Sequence, residues 1–345
     1  MNIIKEIKQL SSLSGISGYE HRISQYLANK FKKYCDEVYI DSIGNVIALK
    51  RSEVGSGKVM LEAHIDEIGM MVKSIDDNGF VLITSVGGID PRILYGNVVN
   101  VHGVRDFIGV IGAKPPHVMT DDEYSDVIDF DKLYIDVGMS AEEAKQNIPI
   151  GSPVTFDCLN TELESGYFAS KSLDDRASVA ILLDVLETIK DVDLGYDLYF
   201  CACVQEEVGL RGSLTAAYAV NPDVAIAIDV THATTPDESK GTFKCGCGPV
   251  ICKGPNIHKT LCNNFISCLN NASIPFEIEV ESGNTGTDAW SIQTAKEGIP
   301  TLLLSLPLKY MHTPVETLNI KDCESVSSAL VEFLKSYKRT GDMLC

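Results

Sequence analysis

Acidic and histidine side chains collect where the sequence predicts that buried strands end and a buried helix begins. The residues are His64, Asp66, the pair Asp174 and Asp175, the pair Glu206 and Glu207, Asp229 and His312. Taken singly, each has an ordinary alternative role, because an aspartate before a helix usually caps it and a histidine at a strand end is usually a hydrogen-bonded surface residue. Taken together, they predict a metal site. Imidazole with carboxylate suits zinc, cobalt or manganese, and bound cations offset the repulsion among clustered carboxylates.

The spacing within two of these groups adds chemical detail. His64 and Asp66 are two residues apart on a predicted strand, so their side chains point the same way. Asp66 can then hydrogen-bond the imidazole nitrogen that holds no metal. Adjacent Glu206 and Glu207 cannot both point the same way in a regular strand. If the strand ends there, one glutamate can bind a metal while the other takes the proton of a metal-bound water.

The elements that must position these residues predict an α/β fold. After about residue 160, segments typical of strands ("YDLYFCACVQ", "DVAIAIDVTHA", "IPTLLLSLPL") alternate with segments typical of helices ("DRASVAILLDVLETIK", "ESVSSALVEFLKSYKR"). Near the start, "KVMLEAHID" reads as a strand, Gly44-Asn45 as a hairpin turn, and Ser17 as the cap of a helix. The alternation predicts a mostly parallel mixed sheet covered by helices, and ligands bind outside the carboxyl ends of such strands.

Residues 68–160 have a different pattern. Short β-rich runs such as "GMMVKSIDDNGFVLITSVGG" and "NVVNVHGVRDFIGVIGAKPP" are broken by Gly, Pro and Asp, and only "SAEEAKQN" is typical of a helix. This pattern predicts a small β-rich module inserted into an α/β domain that comprises residues 1–67 and 161–345.

The composition restricts the partners and the compartment. The chain has 345 residues, 45% of them hydrophobic and 22% charged, with a net charge of −19. This acidity argues against nucleic acid or an anionic membrane as partner. The absence of a signal-peptide core and of a membrane-spanning apolar run, with eleven scattered cysteines, favours a cytoplasmic protein with reduced thiols. Cys245, Cys247 and Cys252 leave a thiolate metal site open as the alternative to ordinary buried thiols, although their spacing fits no zinc finger or ribbon.

An ordered set of motifs along nearly the whole chain resembles the M42 metallo-aminopeptidases, the group of glutamyl and tetrahedral aminopeptidases. The matching pieces are "SGISGYEHRI", "DSIGNVIA", "AHIDEIGMMV", "IGAKPPHVMT", "LDDRAS", "VQEEVGLRGS", "AIDVTHATTPD", "GTDAWSIQ" and "PLKYMHTPVE". Any one of them would be weak support, whereas their common order is specific.

The resemblance implies a co-catalytic centre of two divalent metal ions per subunit, zinc or cobalt, with manganese as a further option. His64 and Asp229 would bind one ion, Glu207 and His312 the other, and Asp174 would bridge both beside a cis peptide bond. Glu206 would be the general base and acid, and Asp66 would support His64. The other histidines are expected outside the ligand set: His21, His102, His117, His232 and His258, of which His232 is near-site structure and His117 lies in the β module.

The resemblance also implies an assembly. Residues 68–160 would form a dimerisation domain, and the dimers would build a tetrahedral dodecamer. Two residues depart from the common family pattern: Lys309 stands where an arginine is usual, and Ser178 where a glycine is usual. Lysine does not reproduce a bidentate arginine contact, so the Lys309 change concerns substrate preference rather than the metals.

The expected activity is hydrolysis of the N-terminal bond of short peptides, with Glu206 taking the proton of a metal-bridging water. One alternative is an endoglucanase-type glycoside hydrolase, in which Glu206 and Glu207 would flank a sugar. A single tryptophan in the chain argues against a sugar-stacking cleft. The other alternative is a catalytically inactive family member, which the presence of every expected ligand disfavours. The sequence does not determine which N-terminal residue is preferred.

Overall fold

An eight-stranded mixed sheet forms the centre of the protein in a computed structural model, which describes residues 1–120, 129–238 and 240–338. The strand order is β1-β2-β12-β3-β13-β16-β14-β15. Strands β12, β3, β13 and β16 are parallel neighbours, as are β14 and β15, whereas β1-β2, β2-β12 and β16-β14 are antiparallel pairs. The prediction of a mostly parallel mixed sheet is therefore confirmed.

The strands and helices follow one another as the sequence pattern indicates. The strands are β1 (Glu37–Ile40), β2 (Val46–Lys50), β3 (Lys58–His64), β4 (Gly69–Ile75), β5 (Val81–Val86), β6 (Val98–His102), β7 (Asp106–Ile111), β8 (Tyr134–Asp136), β9 (Pro153–Phe156), β10 (Thr161–Glu162), β11 (Tyr167–Ser170), β12 (Asp197–Cys203), β13 (Val224–His232), β14 (Val250–Lys253), β15 (Glu277–Val280), β16 (Thr301–Leu308) and β17 (Glu316–Asn319). The α-helices of the described residues are α1 (Ile3–Ser11), α2 (His21–Phe31), α3 (Ala141–Asn147), α4 (Leu173–Ile189), α5 (Arg211–Val220), α6 (Lys259–Ala272), α7 (Asp288–Ile292) and α8 (Ile320–Ser336).

Burial explains why the central strands are continuously apolar. Every residue of β16 is buried, and so is every residue of β13 except the last. Helix α4 packs against β3, β13 and β16, with α1 and α8 against its outer surface, while α5 and α7 pack on each other and on the same sheet. Strands covered on both faces need apolar side chains on both, which is the pattern that the sequence shows.

A closed six-stranded barrel is inserted between β3 and β10. Its strand order is β4-β5-β8-β7-β6-β9, and it has an apolar core of its own. Along β7 buried and exposed residues alternate strictly, as expected for a strand with one face in a barrel interior. Helix α3 begins with a capping box between Ser140 and Glu143. The structure thus shows a separate β-rich unit, and its role as a dimerisation domain stays a prediction.

Two local features differ from the sequence predictions. Ser17 does not cap α2, because its hydroxyl donates to Asp66 (2.6 Å) and the backbone of Glu20 occupies the cap position. The sequence pattern also did not indicate β14, or the small sheet β10-β11-β17 that leads the chain into α4 and α8. These strands have only two to four residues, too few for a periodic signal. Among the described residues, no helix is both long and apolar enough to cross a membrane.

Candidate metal centre and its cavity

A cavity of about 830 Å³ opens at the carboxyl ends of β3, β12 and β13. It is lined by all of the expected metal ligands and by the expected general base: His64, Asp174, Glu206, Glu207, Asp229 and His312. Strand β3 ends at His64, β12 ends three residues before Glu206, and Asp229 lies near the end of β13. Parallel strand ends meet at one edge of a sheet, so the fold brings together side chains as distant in the chain as His64 and His312.

Asp174 lies between the two histidines. Its Oδ1 is 3.0 Å from Nε2 of His64, and its Oδ2 is 3.4 Å from Nε2 of His312. The same His312 nitrogen is 3.3 Å from Oε1 of Glu207. The Asp174–Asp175 peptide bond is cis, as the resemblance implies.

The donor atoms fit a metal centre. Three groups have ligand atoms within 4.8 Å of one another: His64–Asp174–Asp229, Asp174–Glu207–His312 and His64–Glu206–Glu207. The first two groups share Asp174, whose oxygens point in two directions. Mixed imidazole and carboxylate donors suit zinc, cobalt or manganese, so the residues present fit divalent transition metals.

Asp66 contacts both the metal centre and the turn after β12 that carries Glu206 and Glu207. Its Oδ1 is 3.5 Å from Nδ1 of His64, the ring nitrogen that faces away from Asp174. Its carboxylate also accepts hydrogen bonds from the backbone amides of Glu206 (3.0 Å) and Glu207 (3.2 Å). One buried carboxylate therefore fixes the turn that carries both glutamates and lies beside the imidazole ring of His64.

The chain leaves β12 through a turn that other elements hold. Gln205 has a left-handed backbone (φ 59°), and its amide donates to the buried carboxylate of Glu20 (3.1 Å). The side-chain amide nitrogen of Asn45 donates to the carbonyl of Gly212 (3.0 Å). The side-chain oxygen of Asn45 accepts from the backbone amide of Val204 (3.0 Å). With the turn fixed at both ends, Glu206 and Glu207 leave the backbone in defined and different directions.

His312 is positioned by the inserted barrel and by a buried glutamate. Its Nδ1 lies 2.9 Å from the carbonyl oxygen of Gly88, in the loop after β5, which leaves Nε2 to face Asp174 and Glu207. Glu316 accepts hydrogen bonds from the amides of His312 (2.9 Å) and Asp174 (3.0 Å), and so fixes the backbone of both.

Several buried acids around the centre were missed by the sequence reasoning, namely Glu20, Glu62, Asp288 and Glu316. None of them ends a predicted central strand, so the rule about strand ends could not find them. Glu20, Asp288 and Glu316 do lie within the motifs "SGISGYEHRI", "GTDAWSIQ" and "PLKYMHTPVE", whereas Glu62 lies in none of them. Burial, together with the nearby Asp288 carboxylate, raises the pKa of Glu62 well above its ordinary value.

The cluster contains more carboxylates than imidazoles, and this excess shifts the pKa values of its members. Burial raises the pKa of Glu206 to about 10, and it also raises those of Glu207 and Asp229. Burial would lower the pKa of His312, but its contacts with Asp174 and Glu207 raise it to about 11. Burial would raise the pKa of Asp174, but the two histidines hold it well below its ordinary value. Protons on the histidines thus offset negative charge, and metal binding must displace them.

The remaining residues singled out from the sequence lie outside the three metal-competent groups. His232 lines the cavity without joining a group. His102 contacts Asp106 in the barrel, and the side chain of His258 caps α6. His21 begins α2, and His117 lies in a short helical turn after β7.

Lys309 and the cysteines also have structural surroundings. The ammonium of Lys309 lies over the ring of Tyr167, 5.0 Å from its centroid, and it does not line the cavity. The thiols of Cys245 and Cys247 contact backbone carbonyls, and no metal-competent group among the described residues contains a cysteine. The open alternative of a thiolate metal site therefore has no support in the part of the chain that the structure describes.

The fold is similar to that of the TET1 peptidase from Pyrococcus horikoshii, which assembles into a tetrahedron or a large octahedral shell; the TM-score is 0.87 at 34% identity, covering 97% of this chain and 100% of that one. A structure described as an endoglucanase from Thermotoga maritima has a TM-score of 0.79 at 33% identity, covering 95% and 96% of the two chains.

At the level of sequence, a lysyl aminopeptidase from Pyrococcus furiosus is 36% identical over 338 residues, or 95% of this chain and 96% of that protein. The profile of the M42 glutamyl aminopeptidase family matches residues 44–328. The chain therefore belongs to the M42 glutamyl aminopeptidase family, and it is an aminopeptidase, a hydrolase of peptides.

Proposed function

We propose that the protein is a two-metal aminopeptidase that removes the N-terminal residue from short peptides. His64 and Asp229 would hold one divalent ion, Glu207 and His312 the other, and Asp174 would contact both. The observation that carries this proposal is the position of Asp174. One of its oxygens lies 3.0 Å from His64 and the other 3.4 Å from His312, so that two donor groups share a single carboxylate.

The bound ions would supply Lewis acidity and lower the pKa of water at the site. Glu206 holds and moves the proton, because its carboxylate faces the cavity and no described residue donates a hydrogen bond to it. Its buried position keeps a proton on the carboxyl group once it has been taken up, ready for transfer to the leaving amine. Asp66 acts as a positioning residue, since its carboxylate holds the turn that carries Glu206 and lies 3.5 Å from Nδ1 of His64.

The cavity suits the free end of a peptide. The carboxylates at its base attract an α-ammonium group, while Trp290 and Met311 provide apolar wall.

Self-association through the barrel, up to a tetrahedral dodecamer, is part of the same proposal. Ile108 and Val110 point outward from β7 with 72% and 47% of their surface exposed, and Val98 (42% exposed) pairs directly with Val110. Such an exposed apolar strip is typical of an interaction surface. Sedimentation of the wild type and of Ile108→Lys tests this: a variant with the same mass as the wild type would contradict it.

We also infer a reducing, cytoplasmic location. The ten cysteines of the described residues are all free, in keeping with reduced thiols. Thiol titration of protein from its native cells, without reductant, would contradict this inference if it revealed disulfides.

The experiment for the main proposal uses metal-stripped protein reloaded with zinc, cobalt or manganese. We expect turnover of aminoacyl p-nitroanilides that is lost with chelator and restored with metal, with about two ions per chain by elemental analysis. Carboxymethylcellulose tests the glycosidase alternative, which the Thermotoga maritima description favours. Hydrolysis of the polysaccharide without hydrolysis of any aminoacyl substrate would contradict the proposal.

A further inference from the structure

The cavity has a second acidic wall, apart from the metal ligands. Glu279 of β15 and Glu281 just beyond it both line the cavity, and residues two apart on a strand point to the same side. Neither belongs to a metal-competent group of the described residues. This wall is therefore an additional charged surface of the site, and the metal ions do not account for it.

One hydrogen bond relates the wall to the metal centre. Asp229 and Thr231 lie two residues apart on β13 and both line the cavity. The hydroxyl of Thr231 donates to Oε1 of Glu279 at 2.7 Å. Two residues of strand span about 6–7 Å, so the Glu279 carboxylate lies roughly one long side chain away from Asp229.

The negative charge of the wall is not matched by a lysine or arginine of the described residues, although His232 also lines the cavity. No lysine or arginine lines the cavity within the described ranges, and neither Glu279 nor Glu281 forms an ion pair with one there. Lys253 is near in the sheet, but it pairs with Val280, whose side chain lies on the opposite face of β15. Burial and the charge of Glu281 raise the pKa of Glu279, so a cation between the two would be favoured.

An independent feature marks this cavity as a ligand site. Glu206 is only 9% exposed, faces the cavity, and accepts no hydrogen bond from a described residue. A buried carboxylate without a partner is costly unless a ligand compensates it. The ligand that reaches Glu206 occupies the same cavity as the wall of Glu279 and Glu281.

We propose, on the basis of the proposed function, that Glu279 and Glu281 bind the cationic side chain of an N-terminal lysine or arginine. The scissile carbonyl must lie at the metal ligands, so the α-carbon of the first residue lies close to them. A lysine stem places its ammonium group about 6 Å from the α-carbon, which matches the separation between the metal centre and the wall. An N-terminal glutamate or aspartate would meet like charge at the same place and is disfavoured.

The test compares lysyl, leucyl and glutamyl p-nitroanilides on the metal-loaded enzyme. We expect the wild type to have its highest kcat/KM on the lysyl substrate and its lowest on the glutamyl substrate. Glu279→Gln should lower the lysyl-to-leucyl ratio of kcat/KM by about tenfold, mainly through a higher KM for the lysyl substrate. Glu281→Gln should act in the same direction with a smaller effect.

Glu277→Gln is the matched control, because it makes the same charge change on the same strand outside the cavity. Its lysyl-to-leucyl ratio should equal that of the wild type. Turnover without a lysyl preference, or an equal loss on all three substrates in Glu279→Gln, would contradict the cationic subsite alone. An enzyme that hydrolyses no aminoacyl substrate would contradict this inference and the proposed function together.

Discussion

Glu67 and Glu206 are both buried glutamates at the edge of the same sheet, but their surroundings are opposite. Glu67 is 2% exposed and lies among cations: Nζ of Lys171 is 2.5 Å from Oε2, and a guanidinium nitrogen of Arg176 is 3.2 Å from Oε1. Glu206 is 9% exposed and lies beside Glu207, near Asp229, with no lysine or arginine on the cavity wall that the described residues form.

The cluster around Glu67 is complete in itself. The amide of Gly15 and the hydroxyl of Ser172 also donate to this carboxylate, and Arg176 donates to the carbonyls of Leu10 and Ile65. It ties together the segment after α1, the chain that leaves β3 for the barrel, and the start of α4. Burial would raise the pKa of Glu67, but the two cations lower it to about 2.

The comparison separates buried charge that stabilises the fold from buried charge that awaits a ligand. Where the protein supplies its own cations, as at Glu67, the carboxylate stays ionised and both of its oxygens accept hydrogen bonds. Where it supplies none, the pKa values of Glu206, Glu207 and Asp229 rise, and cations from solution are needed. Substitutions in the two clusters should therefore fail in different assays.

The largest effect is expected for Glu206→Gln. The amide cannot accept the proton, so kcat should fall by about 10³-fold, while metal content and the thermal midpoint stay near wild type. Steady-state kinetics measure kcat, elemental analysis measures the metal content, and thermal denaturation measures the midpoint. The matched variant Glu207→Gln should instead lose metal. A Glu206→Gln enzyme with near-wild-type kcat would remove Glu206 from the chemistry and break the contrast with Glu67.

Glu67→Gln is expected to act on stability. It leaves Lys171 and Arg176 buried without their carboxylate, at a cost of about 3–5 kcal/mol in the free energy of unfolding. Denaturant unfolding of metal-free protein measures the change. The control is Glu62→Gln on nearby β3: Glu62 is also fully buried, but its raised pKa keeps it neutral, so the change should cost much less. Equal losses of unfolding free energy in the two variants would show that Lys171 and Arg176 do not make Glu67 more important for stability than Glu62.

The pH dependence of stability should show the smallest of these effects. The pKa of Glu67 is lowered to about 2 in the folded state from an ordinary value of 4.5. Its contribution, about 3 kcal/mol, is therefore fully present above about pH 5 and is lost as the pH falls toward 2. Thermal midpoints of metal-free protein between pH 6 and pH 3 should fall more steeply for the wild type than for Glu67→Gln. Identical slopes would mean that Glu67 does not titrate as an ion-paired group.

Much of the candidate site could be predicted because strand ends are legible in the sequence. His64, Glu206 and Asp229 each lie at or near the end of a largely apolar segment, and the fold places such ends along one edge. The positioning residues could not be predicted in this way. Glu316 lies at the start of a four-residue strand outside the main sheet, and Glu20 precedes a helix, yet both accept amide hydrogen bonds at the site.

The sequence by itself determined the fold class and the position of the β-rich insertion, because apolar periodicity is a local property of the chain. Its ordered motifs also named the residues that line the cavity, whose assignment as metal ligands stays a proposal. Only the tertiary structure decided which carboxylates have cations beside them. Glu67 meets Lys171 across 104 residues, and Glu279 meets Thr231 across 48. Whether a buried acid stabilises the fold or faces a ligand depends on neighbours distant in sequence, since charge interactions act through space.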